Sequence, residues 1–285
     1  MVYLSDGGKL TAKTCRTLRM KNSAKNNSET KKLGTSHCGR IIVISPHADD
    51  AAYSIGGLIR KSIFRSRIQI ITLFGRSNFL RASGFENHWQ AVTTLRKRED
   101  MAFAARIGAQ LTYFQYPEAA LRIGTSPEDL FAIAEVPRVE IPGNLTDSLT
   151  KLLDRLRPRC LFAPLAVGYH RDHLIARQIA TREAVQRKLP IIFYEDLPYV
   201  GSFSRERLIR HAKLVDPRLR AGYVPIDLSG KLNNLTVYRS QVGPPEMQIV
   251  AQHATQLRDG QPFERIWFAT SRDQLLKVLE PLPLL

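Results

Sequence analysis

No stretch of the chain approaches the ~18–20 consecutive apolar residues that a membrane-spanning helix needs. The first residues are polar and basic and lack the apolar core of a secretory signal. Cysteine is scarce and odd in number. Cys15, Cys38 and Cys160 are widely spaced, which argues against a disulfide framework. These absences together imply a reducing, cytoplasmic setting. The Gly-x-Gly-x-x-Gly turn of dinucleotide sites does not follow the first predicted strand, and no Walker A pattern occurs. Zinc-finger spacing, an RNP motif and a recognisable recognition helix are missing too. A cofactor-binding Rossmann protein therefore has only its sheet to support it, and a nucleic-acid module only its charge.

Acidic residues are also few: 26 Asp and Glu stand against 42 Lys and Arg, a net charge of +16 over 285 residues. Residues 1–40 hold nine basic residues and two acids, Asp6 and Glu29, with no packing periodicity. Residues 1–39 are expected to form a basic, disordered arm, and Met20 offers an alternative start. The remainder still carries 33 basic and 24 acidic residues. Such a surface attracts nucleic acid, an anionic membrane or a phosphorylated substrate. A solvated basic surface without a dedicated partner explains the same charge.

From Ile41 onward short apolar runs alternate with helical patterns. Strands are predicted at 41–44, 68–74, 111–115, 160–163, 191–194 and 265–269. Helices are predicted at 51–61, 87–107, 145–156, 174–187, 231–241 and 247–257. The β-branched run Ile41-Ile42-Val43-Ile44 is typical of a strand buried on both faces of a parallel sheet. The alternation implies an α/β, Rossmann-like fold over residues 40–285, with a mostly parallel sheet and helices on both faces. Residues 117–144 and 196–228, punctuated by Pro and Gly, are expected to be long loops near the site.

Two clusters carry the chemistry. Pro46-His47-Ala48-Asp49-Asp50 directly follows the first strand, where ligands of open α/β sheets bind. His47 and Asp50 are three apart, so one helical turn could face both at a single ion, with Asp49 left free to act as a base. His170-Arg171-Asp172-His173 follows the strand at 160–163, again with histidines three apart. The two clusters supply two histidines and one carboxylate for a metal, with a His and an Asp left over. Catalytic zinc sites take three such ligands and keep a position for water. Amide hydrolysis requires the leftover pair, a base and a stabiliser of the tetrahedral intermediate. Either cluster alone reads equally as a polar loop or a helix cap. Two of them past strands of one sheet favour metal hydrolysis.

These motifs resemble the PIG-L/LmbE-like deacetylases, zinc-dependent hydrolases of N-acetylated sugars and glycoconjugates. Gly56-Gly57, Arg96-Lys97-Arg98-Glu99, Tyr116-Pro117-Glu118, Lys231 and Ser240-Gln241 extend the likeness from Ile41 to about Val242. The resemblance implies that His47, Asp50 and His173 bind Zn2+ and that Asp49 is the general base toward the attacking water. It further implies that His170 stabilises the oxyanion and protonates the leaving amine, and that Asp172 orients a histidine. Arg96, Arg98, Glu118 and Tyr169 become candidates for substrate contacts. A small amino-sugar or glycoconjugate substrate is implied, with no specific nucleic acid and an oligomer left open. Ala48 and Arg171 replace prolines of the pattern, Ala51 a glutamate and Glu118 an aspartate. None of these removes a ligand or the base, but Glu118 alters a side chain aimed at substrate. A zinc amidase acting on another acyl group remains the nearest alternative.

Overall fold

The structure, a computed structural model, describes residues 39–61, 67–132 and 139–279. The predicted basic arm, with Met20, Cys15 and Cys38, lies outside the described residues apart from Gly39. Five parallel strands form the core of the sheet: β1 (Ile41–Ser45), β2 (Ile68–Thr72), β5 (Gln110–Tyr113), β6 (Cys160–Pro164) and β7 (Ile191–Tyr194). Two further strands, β9 (Phe263–Phe268) and β8 (Arg220–Pro225), extend it antiparallel, giving the order β5-β2-β1-β6-β7-β9-β8. A two-residue hairpin, β3 (Phe79–Leu80) with β4 (Gly84–Phe85), stands apart from this sheet. The mostly parallel α/β arrangement is the predicted one, and the described residues form one compact unit. Ile42, Val43 and Ile44 are wholly buried, as are Leu161, Phe162 and Ala163. Strands covered on both faces leave no position for alternating polar residues, which is why they read as continuous apolar runs.

Helices connect the strands: α1 (Asp50–Ile59), α2 (Trp89–Ile107), α5 (Leu145–Leu156) and α6 (Arg171–Arg187). The last two helices before β9 are α8 (Leu228–Leu235) and α9 (Pro244–Gln256), and α10 (Arg272–Leu279) follows it. The segments expected to be loops contain more structure than predicted. Within 117–144 lie the short helices α3 (Ala119–Arg122) and α4 (Pro127–Leu130). Within 196–228 lie α7 (Arg205–Val215) and strand β8. Helix α7 buries only Leu208, His211 and Ala212, so its apolar stripe is thin, yet Ser204 caps its N-terminus. Strand β8 is an edge strand holding Gly222 and Pro225, residues that weaken a strand signal.

One buried ion pair shapes the helix that carries the first cluster. Ile55 leaves helical geometry (φ −129°, ψ 21°), which frees backbone groups in the middle of α1. The Glu264 carboxylate accepts from Gly57 N (2.8 Å) and Leu58 N (2.7 Å), while Lys231 Nζ donates to Ser54 O (3.3 Å). Lys231 and Glu264 pair with each other at 2.7 Å, both almost fully buried. A Cβ on Gly57 would sit 2.8 Å from Ile226, so only glycine permits this approach. Lys231 therefore serves the kink of α1. Lys231→Met should cost about 3–5 kcal/mol, because it strands a buried carboxylate. Chemical denaturation reads this directly, and a loss below about 1 kcal/mol would contradict the burial argument.

Candidate active site

The sheet order reverses at β1: the chain runs outward through β2 and β5, then returns to β6 and β7 on the other side. Ligands of open α/β sheets bind at such a reversal, beyond the carboxyl ends of the strands. His47, Asp49 and Asp50 follow β1, Glu118 follows β5, His170 and His173 follow β6, and Asp196 follows β7. Each is buried. A cavity of about 300 Å³ opens here, with His47, Asp49, Asp50, Arg96, Glu118 and His170 among the residues at its wall.

Local hydrogen bonds fix the first cluster. Ser45 Oγ donates to His47 O (2.7 Å) and accepts from Ala51 N (3.2 Å), and His47 N donates to Asp50 Oδ2 (2.7 Å). Asp49 occupies the N-cap of α1, yet its side chain makes no capping bond. Its carboxylate instead lies 3.5 Å from Arg96 and lines the cavity. Burial raises the Asp49 pKa, Arg96 opposes that rise, and the neighbouring Asp50 reinforces it. In the second cluster Gly168 (φ +87°) and Tyr169 (φ +63°) adopt left-handed backbone. The turn delivers His170 to the N-cap of α6, where its Nδ1 accepts from Asp172 N (3.2 Å).

The acceptor roles of the imidazoles then follow from their partners. His47 Nε2 lies 3.0 Å from Asp172 Oδ2, and His173 Nδ1 lies 2.6 Å from Asp196 Oδ1. With a cation bound, the nitrogen held by Asp172 or Asp196 would keep the ring proton, and the other nitrogen of each ring would offer its lone pair. Those are His47 Nδ1, 3.2 Å from Asp50 Oδ2, and His173 Nε2, 3.3 Å from the same oxygen. His173 Nε2 is fully buried and, among the described residues, makes no hydrogen bond of good geometry, facing the Asp50 carboxylate. Donor atoms ~2.05 Å from a tetrahedral ion are themselves ~3.3 Å apart. Both nitrogens thus lie from Asp50 Oδ2 at the separation of two ligands of one cation, and carboxylate-bound imidazoles are the usual support of such ligands.

Without a cation, protons must balance the cluster. Burial would lower both histidine pKa values, but the Asp50 carboxylate and hydrogen bonds to acids overcome it. His47 stands well above its ordinary value, and His173 is carried up to about 9. A bound cation takes the place of those protons.

The nitrogens of His47, His170 and His173 lie within 4.8 Å of one another, so a three-histidine site is also conceivable. The His170 tautomer argues against it. Since Nδ1 accepts from Asp172 N, the ring proton resides on Nε2, which leaves a donor and no lone pair on the ring's other side. Burial and the charge of His47 push the His170 pKa down to about 3, so this ring is neutral.

The remaining predicted residues divide. Arg96 NH1 binds Glu118 Oε1 (2.7 Å), whose other oxygen accepts from Ser77 Oγ (2.7 Å). Both Arg96 and Glu118 reach the cavity wall. Asp172 is wholly buried and does not line the cavity. Its carboxylate is engaged by His47, Ala119 N (2.9 Å) and Arg122 (2.8 Å), so it holds a ring and does not face substrate. Arg98 is exposed on α2 and is not part of the cavity wall. Tyr169 packs against Phe203 and His211, away from that wall. Neither of these two is brought to the site. The stretch 193–199, which from its sequence reads equally as pocket wall or as core strand and turn, supplies both Tyr199 at the cavity wall and Asp196 behind His173.

Comparison with known proteins now decides the family. The family model described as GlcNAc-PI de-N-acetylase, PIG-L, matches residues 42–185. The chain belongs to the PIG-L family. Within the PIG-L proteins, 2'-N-acetylparomamine deacetylase of Streptomyces fradiae is 30% identical over 226 residues, 76% of this chain and 78% of that protein. The zinc-inhibited form of teicoplanin deacetylase superposes with a TM-score of 0.61 at 21% identity, over 80% of this chain and 97% of that one. N,N'-diacetylchitobiose deacetylase from Pyrococcus horikoshii gives 0.56 at 15% identity, over 84% and 85%. At these identities the two structures speak for the fold. This PIG-L protein is an N-deacetylase, a hydrolase of carbon–nitrogen bonds. No helix among the described residues is long and apolar enough to cross a membrane.

Proposed function

We propose that this PIG-L protein removes the acetyl group from the nitrogen of an N-acetylglucosamine-type ring, using one Zn2+ held by His47, Asp50 and His173. The observation that carries the reading is that His47 Nδ1 and His173 Nε2 both face one oxygen of Asp50, at 3.2 and 3.3 Å, with Asp49 and His170 on the wall of the adjoining cavity. Two histidines and a carboxylate are a borderline donor set that suits zinc. Bound there, the ion would supply Lewis acidity toward the amide carbonyl and make water acidic enough to attack near neutral pH.

The protein's own groups do the rest. Asp49 takes a proton from the attacking water, and Arg96 counters the burial that would otherwise keep the carboxyl protonated. His170 Nε2–H donates to the oxyanion of the tetrahedral intermediate. Because His170 is a neutral donor, Asp49 returns the proton to the leaving amine. The resemblance assigns that step to His170, and the tautomer supports moving it. Asp172 and Asp196 hold the two imidazoles in their binding tautomers. Arg96 and Glu118 bind sugar hydroxyls at the wall.

A cavity of about 300 Å³ is at the small end of ligand sites. It suits one sugar ring and its acetamido arm, with the rest of the substrate outside. The relatives named for N-acetylparomamine and N,N'-diacetylchitobiose support an amino-sugar acceptor. The test is release of acetate and free amine from a panel of N-acetylated aminoglycosides, chitooligosaccharides and glucosaminyl lipids. Zinc should be kept near stoichiometric, since teicoplanin deacetylase has a zinc-inhibited form. Turnover confined to amides without a sugar would overturn the acceptor.

A further inference from the structure

Arg122, the last residue of α3, takes no part in the reaction as described. Its NH1 donates to Pro117 O (2.6 Å) and to Asp172 Oδ1 (2.8 Å), and its guanidinium lies 4.9 Å from the centroid of Phe74. The side chain is 13% exposed and its carboxylate partner is 0% exposed, so the pair is shielded from water. The other oxygen, Asp172 Oδ2, accepts from Ala119 N (2.9 Å) and faces His47 Nε2 (3.0 Å). Helix α3 thus grips one carboxylate from both ends, through the N–H of its first residue and the side chain of its last. The second contact of Arg122 matters as much. Pro117 precedes Glu118, and Glu118 binds Arg96, which faces Asp49. One guanidinium therefore fastens both the carboxylate behind His47 and the turn behind Arg96.

We propose that Arg122 is a positioning residue of the metal centre: it fixes Asp172 in the orientation that turns His47 Nδ1 toward Asp50. The inference rests on the reading of His47, Asp50 and His173 as metal ligands. Its physical basis is geometric. A carboxylate with one oxygen unpartnered is free to rotate about its terminal torsion, which has a broad minimum. Arg122 removes that freedom on the Oδ1 side, and Ala119 N does so on the Oδ2 side. An arginine that only fastened α3 to the body of the protein would affect stability and leave the centre unchanged.

The test compares wild type with Arg122→Met, which keeps an apolar stem over Phe74, and Arg122→Lys, which restores a cationic donor. Zinc affinity is measured by competition with a chromogenic chelator, Co2+ substitution gives a visible absorption spectrum, and thermal melting monitors the fold. Loss of an outer partner of a metal ligand typically weakens binding about 10–100-fold. Arg122→Met should show that loss and an altered Co2+ spectrum, and Arg122→Lys should recover most of both. If methionine prevents folding, Arg122→Gln serves the same comparison. A folded Met or Gln variant with wild-type zinc affinity and spectrum would overturn the positioning role while leaving the metal ligands intact. A wild-type protein that binds no zinc would overturn the ligand reading itself, and this inference with it.

Discussion

Asp49→Asn should reduce kcat by about 10²–10⁴-fold, the range that a positioned general base supplies, while zinc affinity stays within a few-fold of wild type. The two effects separate because the Asp49 carboxylate is not among the atoms that meet at Asp50 Oδ2 and pairs with Arg96 instead. Asp49 lies at the N-cap of α1 without capping it, and its carboxylate faces Arg96 and the cavity. Asparagine has nearly the same shape and cannot accept the proton. Steady-state kinetics alongside metal analysis checks both halves. A variant that loses zinc in proportion to its activity would place Asp49 among the ligands and leave the reaction without an assigned base.

His173→Ala should abolish stoichiometric zinc binding, and turnover should fall with it. His173 has no exposed surface, and among the described residues its Nε2 makes no hydrogen bond of good geometry and faces Asp50. Its Nδ1 is tied to Asp196 at 2.6 Å, so the ring cannot turn to offer the other nitrogen. Alanine also leaves Asp196 buried beside an empty space, and some stability will be lost. His170→Ala is the matched control, because His170 offers a donor to the cavity and no lone pair. That variant should keep zinc and lose activity. If His170→Ala released the metal and His173→Ala retained it, the tautomers assigned from the hydrogen bonds would be reversed.

The residues proposed as ligands stand out in the sequence for a physical reason. His47 and Asp50, like His170 and His173, sit one helical turn apart just past a buried strand, so each cluster announces itself locally. The acids that orient the imidazoles have different visibility. Asp172 lies inside a cluster, whereas Asp196 follows Glu195 after β7 with no histidine near it in sequence, and only the sheet order brings it to His173. Arg122 is quieter still: one arginine among many in a basic chain, given meaning by α3 wrapping around Asp172. Arg98 shows the converse. Two residues from Arg96 on the same helix, it is turned to solvent, because residues two apart on a helix do not share a face.

The fold shows the same division. Strands β1, β2, β6 and β7 read as nearly continuous apolar runs, broken by Ser45, Gln69 and Thr72, because both faces are covered. Helix α7 and strand β8 hid between Pro198 and Pro225, where proline and glycine mask a thin apolar stripe. Strand β9 was expected, but its antiparallel direction depends on pairing with β7 and β8, which residue pattern alone does not encode. The late Lys and the Ser of the Ser-Gln element are fastenings in this structure, while Gln241 lines the cavity. Lys231 serves the kink of α1, and Ser240 binds Glu99 through both its backbone and its hydroxyl.

The most direct test of the whole account is to strip metal from the purified protein with a chelator and titrate zinc back. Bound zinc and acetate release from an N-acetylated amino sugar are followed together. The arrangement of His47, Asp50 and His173 predicts activity lost on stripping and regained in step with one zinc per chain. Undiminished acetate release from the metal-free protein would contradict it.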